Sequence, residues 1–200
     1  MGVVARVHGE YVFARRIRVL AESLAPLLPE GGTVLDVGCG DGQIDRLIGL
    51  RRPDLRIEGI DVLVRPETHV PVTPFDGRRI PFPDRSFDAV MFVDVLHHTD
   101  DPLVLLAEAA RVTRGSIVIK DHCRDGLLAG PTLRFMDWVG NARHGVALPY
   151  NYWPERRWRD AFGTLGLRIA RWEGRVDLYP WPASLVFGRG LHFVARLETG

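Results

Sequence analysis

Residues 34–42 have the sequence Val34-Leu35-Asp36-Val37-Gly38-Cys39-Gly40-Asp41-Gly42, in which a short apolar run is followed by three glycines. The run is rich in β-branched residues, which predicts a buried strand. Residues 43–50 then return to helical spacing. Glycines between a strand and a helix let a ligand approach the backbone closely, and the N–H groups that start the helix point outward. The segment therefore predicts a nucleotide-type loop.

The same alternation of strands and helices continues along the chain. Apolar runs predict strands at residues 33–37, 56–61, 70–72, 87–94, 116–121, 168–172 and 191–197. Helical spacing predicts helices at residues 11–28, 43–50, 102–112, 127–139 and 154–166. The strand at 70–72 should be a short edge strand, because Pro71 and Pro74 lack an N–H donor. The pattern predicts an α/β fold with a doubly wound, mostly parallel, seven-stranded sheet and helices on both faces.

Composition and charge narrow the class of protein. The 200 residues are 46% hydrophobic, which suits one globular domain. No apolar run approaches the ~20 residues of a membrane span, and no leader-like segment opens the sequence, so we expect a cytoplasmic protein. The net charge of +1 comes from scattered arginine pairs offset by acids, which argues against a nucleic-acid partner.

An acidic residue follows the second predicted strand. Asp61 lies 19 residues after Gly42, at a position from which a carboxylate can accept both hydroxyls of an adenosine ribose. A dinucleotide site would have G-x-G-x-x-G, whereas the third glycine here comes one residue early. Asp36, inside the first strand, would repel a pyrophosphate but suits a cationic sulfonium. These residues favour a sulfonium cofactor.

With these motifs the sequence resembles the Rossmann-like family of S-adenosylmethionine-dependent methyltransferases, over about residues 30–122. The resemblance implies that the loop after the first strand holds the methionyl part of the cofactor, and that Asp61 and its neighbour Val62 bind the ribose. It also implies that Asp76 accepts from the adenine amine, that the Gly77 N–H meets the ring, and that Asp94 begins the floor under the methyl group. The cofactor-binding residues expected from the resemblance are Asp36, Gly38, Cys39, Gly40, Asp61, Val62, Asp76, Gly77 and Asp94.

The expected division of the single domain, residues 1–200, follows from this. Residues 1–30 would form an N-terminal helical cap, 31–122 the cofactor-binding core, and 123–200 the helices and final strands on the substrate side. Within the family, Leu96-His97-His98 resembles the subgroup that acts on quinones, lipids and secondary metabolites. The partner is then a small-molecule acceptor of aromatic or hydrophobic character.

A general base is needed only when the acceptor is a neutral hydroxyl, thiol, amine or carbon acid. His122, just after the fifth strand, is the first candidate, with His97 and His98 after the fourth strand as alternatives. A packed or capping histidine remains the other interpretation of each. No metal site is expected, because the residues that could ligate one come from separate loops without a known ligand spacing.

The acceptor region is sought among the aromatic residues of 127–182, since aromatic side chains often form pocket walls. Trp158 and Phe162 are expected in the core, and the loop residues Tyr150 to Trp153 are candidates for binding. Two other functions stay open. One is a nicotinamide-dependent oxidoreductase, although the chain has no Tyr-x-x-x-Lys pair, and the other is a non-catalytic cofactor-binding protein of the same fold.

Overall fold

The structure, a computed structural model, describes residues 3–141 and 149–200. Its helices are α1 (Val3–Leu24), α2 (Gln43–Arg51), α3 (Pro102–Val112), α4 (Ala129–Asn141), α5 (Glu155–Thr164) and α6 (Ser184–Phe187). Its strands are β1 (Gly32–Val37), β2 (Leu55–Asp61), β3 (Val72–Pro74), β4 (Phe87–Val93), β5 (Thr113–His122), β6 (Arg168–Glu173) and β7 (His192–Glu198). None of the helices described has the length and apolar content that crossing a membrane requires.

The seven strands form one sheet in the order β3-β2-β1-β4-β5-β7-β6. The strands from β3 to β5 pair in parallel, whereas β7 is antiparallel to both β5 and β6. The strand order reverses between β1 and β4, and ligands of open α/β sheets bind in the crevice beyond the strand ends at such a reversal. This topology confirms the predicted fold class.

Apolar side chains on the two faces of the sheet enter separate cores. Leu35 and Val37 of β1 pack on the face covered by α3 and α5. Val34, which alternates with them, packs on the face covered by α1 and α2. Because consecutive side chains of a strand point to opposite faces, continuous apolar runs such as β1 require helices on both sides. The central strands are therefore rigid, and their ends are fixed points for a site.

Several boundaries differ from the sequence predictions, and one short helix was not predicted. β3 lies two residues later than expected, at Val72–Pro74, and it is the edge strand of the sheet. α1 ends at Leu24 instead of Leu28, because Pro26 turns the chain into a 3-10 segment at Ala25–Leu27. α6 was not predicted, since its four residues are too short to show a helical period.

Candidate functional site

A cavity of about 940 Å³ lies at the carboxyl ends of β1, β2 and β4. The sheet order puts these ends side by side, so residues distant in sequence share one wall. Seven of the residues expected to bind the cofactor line this cavity, namely Gly38, Gly40, Asp61, Val62, Asp76, Gly77 and Asp94. Other lining residues include Phe75, Val95, His98, Thr99, Asp100, Val104, Leu105 and Pro149.

The glycine turn after β1 has a backbone that other residues rarely adopt. Gly38 has φ 80°, and a Cβ added there would lie 2.5 Å from the Val95 side chain. Gly40 also has a positive φ, 62°, but a Cβ there would meet nothing within 4 Å. Gly38 is thus required by both conformation and space, whereas Gly40 is required by conformation alone. The turn exposes its backbone to the cavity.

Asp61 holds the glycine turn in place. Its Oδ2 accepts the Gly40 N–H at 2.8 Å, and its Oδ1 accepts the Leu63 N–H at 2.8 Å. Hydrogen bonds to an ionised carboxylate are stronger than those between neutral groups. Each carboxylate oxygen can accept a further bond. The carboxylate is therefore oriented by the backbone and can still accept hydroxyl groups from a ligand.

Asp76 is fixed in a similar way at the end of β3. Its Oδ1 accepts the N–H groups of Arg78 and Arg79, each at 2.8 Å, and these bonds hold the pKa of the carboxyl below its usual value. Gly77 has φ 78°, and a Cβ there would lie 3.1 Å from the side chain of Val62. Asp76 and Gly77 thus form a preorganised polar edge beside the exposed Val62.

The side chains of Asp36 and Cys39 lie behind the glycine turn, away from the cavity. Asp36 is buried against Asp45 of α2, and burial followed by the charge of Asp45 raises its pKa well above the usual value. Cys39 packs against Gly59 of β2, where an added Cβ would come within 2.3 Å of its sulfur. Burial raises the pKa of the Cys39 thiol. Any contact of these two residues with a ligand in the cavity would involve their backbone.

Asp94 is held by two cations at the floor of the cavity. It forms salt bridges with Lys120, the only lysine of the chain, and with Arg16 of α1. Burial by itself would raise the pKa of Asp94, but the charges of Lys120 and Arg16 outweigh it and keep the pKa well below its usual value. Sequence reasoning missed both cations. The sequence does contain one signal for Lys120: a lone lysine within the apolar run of β5 indicates a buried cation that needs an acidic partner.

His122 lies below this floor. It is 6% exposed, its Nε2 is 3.5 Å from Asp94 Oδ1, and its Nδ1 is 3.1 Å from Nδ1 of His192. Burial followed by the charge of Lys120 keeps its pKa well below the usual value, so the ring is neutral. Its role as general base stays a prediction. Among the cavity-lining residues that the structure describes, the histidine is His98.

A buried hydrogen-bonded network stands beside His98. His97 Nδ1 is 2.7 Å from Asp121 Oδ1, and His97 Nε2 is 3.3 Å from Asp137 Oδ1. Burial would lower the pKa of His97, but the two carboxylates outweigh it and raise the pKa to about 10. Tyr152 donates to Asp137 Oδ2 at 2.5 Å. Sequence reasoning missed Asp137, which reaches His97 only because α4 packs over this end of the sheet.

The aromatic residues divide differently from the expectation. Trp158 and Phe162 are buried in the core, as predicted. Tyr152 and Trp153 are also buried, with 4% and 2% exposure, although they were expected to form a binding loop. The reason is that Cys123 and Trp153 form a β-bridge that ties this segment to the end of β5. Tyr152 and Trp153 are therefore part of the packing around the site.

Comparison with known proteins agrees with this geometry. The sequence model of a family described as a methyltransferase domain matches residues 8–171. The chain is 30% identical over 135 residues to 2-methyl-6-phytyl-1,4-hydroquinone methyltransferase of Synechocystis, covering 63% of this chain and 37% of that protein. It is 30% identical over 110 residues to 27-O-demethylrifamycin SV methyltransferase of Amycolatopsis mediterranei, covering 48% of this chain and 40% of that protein. The chain thus matches well under half the length of these two relatives.

Solved structures share the fold. A SAM-dependent methyltransferase from Aquifex aeolicus superposes with a TM-score of 0.63 at 20% identity, covering 92% of this chain and 93% of that one. Geranyl diphosphate C-methyltransferase from Streptomyces coelicolor gives a TM-score of 0.68 at 17% identity, covering 90% of this chain and 78% of the other. The chain therefore belongs to the methyltransferase domain family, in agreement with the resemblance that its sequence shows to S-adenosylmethionine-dependent methyltransferases.

Proposed function

We propose that this chain binds S-adenosylmethionine and transfers its methyl group to a small-molecule acceptor. The observation that carries the proposal is the cavity between the glycine turn after β1 and the fixed carboxylate of Asp61. Asp61 is oriented to accept ribose hydroxyls, and Asp76 with Gly77 is oriented toward an adenine edge. When bound, the cofactor supplies an electrophilic methyl group on a sulfonium.

The charge of the cavity supports this cofactor over a dinucleotide. Acidic residues outnumber basic ones in its lining, with five aspartates against two arginines: Asp61, Asp76, Asp94, Asp100 and Asp101 against Arg65 and Arg78. A pyrophosphate in such a cavity would meet like charges, whereas a cationic ligand would not. Gly38 leaves room beside Val95 for a backbone turn that approaches a ligand, and it leaves none for a side chain. The residues present therefore fit the sulfonium cofactor, and the nicotinamide alternative is not favoured.

The chain's own task is to align donor and acceptor and to exclude water. Alignment of two reactants can supply about 7–11 kcal/mol of the barrier. The apolar part of the cavity wall includes Val95, Val104, Leu105 and Pro149, so we infer an acceptor with an apolar portion. His98 is the ring on this wall that could accept a proton, since its pKa is lowered by burial and by the neighbouring His97. The hydroquinone and rifamycin named in the two relatives' functions support a small organic acceptor.

We also infer that the protein works in the cytoplasm. Cys39 and Cys123 are both free thiols in the structure. Unpaired cysteines suit a reducing compartment.

The experiment is a binding and turnover comparison. Calorimetry of the full chain should give binding of S-adenosylmethionine and little or none of NADH. Asp61→Ala should raise the dissociation constant roughly 10- to 100-fold, because a hydrogen bond to a charged group contributes about 1.5–3 kcal/mol. Asp160→Ala, an exposed aspartate on α5, is the matched control and should leave it unchanged. Circular dichroism verifies that both variants fold.

Turnover then separates catalysis from binding alone. The chain is incubated with methyl-labelled cofactor and a metabolite extract, and labelled products are sought by mass spectrometry. A labelled small molecule that is absent with Asp61→Ala supports the proposal. Tighter binding of NADH than of S-adenosylmethionine would contradict it. Binding without any labelled product would favour the non-catalytic alternative.

A further inference from the structure

Two histidines and an aspartate converge at one edge of the cavity. His97 and His98 lie in the 3-10 turn Leu96–His98 after β4, and Asp137 lies on α4. One ligand atom from each of the three lies within 4.8 Å of the others. His97 and Asp137 are buried, and His98 is half-buried and lines the cavity. We propose that His97, His98 and Asp137 form a binding site for a divalent transition-metal ion of the zinc type.

The distance between two of the ligand atoms supports a metal between them. His97 Nε2 and Asp137 Oδ1 are 3.3 Å apart, which is longer than most hydrogen bonds between nitrogen and oxygen. Two ligand atoms about 2.0–2.2 Å from zinc at tetrahedral angles are roughly 3.3–3.5 Å apart. The pair therefore already has the separation of one edge of a zinc site. The ligand atom of His98 lies within 4.8 Å of the other two, so completing the site needs a shift of up to about 1.5 Å.

Each of the two buried ligands is oriented by a second residue. Asp121 Oδ1 accepts the Nδ1–H of His97 at 2.7 Å, which leaves Nε2 as the metal-binding nitrogen. Asp121 is itself held by the N–H groups of Leu96 and His122, at 3.0 and 2.7 Å. The Tyr152 hydroxyl donates to Oδ2 of Asp137. A carboxylate behind a metal-binding histidine is the usual device that fixes the ring and strengthens its ligand nitrogen.

His98 supplies the third ligand. Its Nδ1 is buried and makes no hydrogen bond to any other residue that the structure describes. Its ring centroid is 4.1 Å from that of His97, and one of its ring nitrogens lies within 4.8 Å of the ligand atoms of His97 and Asp137. Two histidines and one carboxylate leave a coordination position open, as in catalytic zinc sites and non-haem iron sites. That position would lie on the cavity side, because His98 belongs to the cavity wall.

The proposed metal site differs from the sequence analysis, which expects none. The third ligand lies 40 residues after the histidine pair, on a helix whose docking cannot be predicted from ligand spacing. The competing interpretation of the same geometry is a protonated His97 held by two carboxylates. His98 is also the side chain proposed to accept a proton, but none of the three ligands is among the residues expected to bind the cofactor. Zinc binding and S-adenosylmethionine binding can therefore fail separately.

The test is a zinc titration of the full chain after chelation with EDTA and removal of the chelator. Calorimetry should give one high-affinity site, and elemental mass spectrometry should count one zinc per chain. Asp137→Asn and His98→Gln should each weaken zinc binding at least tenfold. His69→Gln removes an exposed histidine from the loop before β3 and should leave the affinity unchanged. Cobalt(II) should bind the wild type with a visible d–d spectrum that both ligand variants lose.

Two results would overturn the proposal. One is wild-type protein that binds no stoichiometric zinc, which would favour the protonated histidine. The other is zinc binding that neither ligand variant changes, which would locate the metal elsewhere. Should Asp137→Asn fail to fold by circular dichroism, His98→Gln decides alone. His98 is half-buried, and its Nδ1 has no hydrogen bond to lose among residues 3–141 and 149–200.

Discussion

The carboxyl pair beneath the glycine turn makes the stability of the fold depend on pH. Asp36 of β1 and Asp45 of α2 are 2% and 1% exposed, and they face each other in the core. Burial raises the pKa of Asp45 from 3.8 to about 7. Burial raises the pKa of Asp36 well above its usual value, so Asp36 keeps its proton at neutral pH. Asp45→Asn would remove the group that ionises near neutrality.

The raised pKa of Asp45 determines that the stability of the wild type falls as the pH rises. A carboxyl with a raised pKa in the folded state contributes stability that is fully present below its unfolded pKa and is lost as the pH rises through its folded pKa. For Asp45 this window extends from 3.8 to about 7. One pKa unit corresponds to about 1.4 kcal/mol, so the whole window is worth about 4 kcal/mol. The part between about pH 5 and pH 8 is about 2–3 kcal/mol.

Urea denaturation of the wild type and of Asp45→Asn at several pH values between about 5 and 8 measures this term. The free energy of unfolding of Asp45→Asn relative to that of the wild type should increase by about 2–3 kcal/mol over this range. For a chain of this size, this corresponds to about 4–12 °C in Tm. Asp160→Asn, whose ion pair with Arg156 is exposed, serves as control and should follow the wild type. Parallel pH profiles for the wild type and Asp45→Asn would refute the reasoning.

Two further pairs of variants test other parts of the site. Gly38→Ala combines a positive φ with a clash against Val95 and should weaken cofactor binding more than Gly40→Ala, which has strain alone; equal dissociation constants by calorimetry would contradict this. Lys120→Met removes a fully buried partner of Asp94 and should lower the free energy of unfolding by about 3–5 kcal/mol in urea. Arg114→Met breaks a partly exposed ion pair and should lower the free energy of unfolding by less than about 1 kcal/mol. Similar losses for Arg114→Met and Lys120→Met would show that burial does not decide the effect.

The fold could be predicted from the sequence because its signals are local. Apolar runs that end in glycines or acids mark β1, β2 and β4, and each appears in the structure within a residue or two. The order of the strands fixes which ends meet, so Gly38, Asp61 and Asp94 could be assigned to one site from the sequence alone. The edge strand β3 was predicted two residues too early, because two prolines obscure its apolar pattern.

The supports of the site could not be predicted, because they depend on register and on helix docking. Lys120 reaches Asp94 because the parallel pairing of β4 with β5 aligns Val93 with Lys120, and nothing in either strand's sequence states that register. Arg16 reaches the same carboxylate from α1. Asp137 depends on how α4 lies across the end of the sheet. The sequence therefore predicts the site residues that directly follow strands. It does not predict the side chains that contact and orient those residues.

The two halves of the cavity are consequently held in different ways. On the side proposed to hold the cofactor, Asp61 and Asp76 are oriented by backbone N–H groups of their own turns. Their orientation depends on the sheet and its turns and would survive many changes of side chain elsewhere. On the side proposed to hold the acceptor, His97 is oriented by Asp121 and Asp137, and Asp137 in turn by Tyr152. Substitutions along α4 can therefore change what the acceptor wall binds while the cofactor half keeps its geometry, which is how one fold can serve many acceptors.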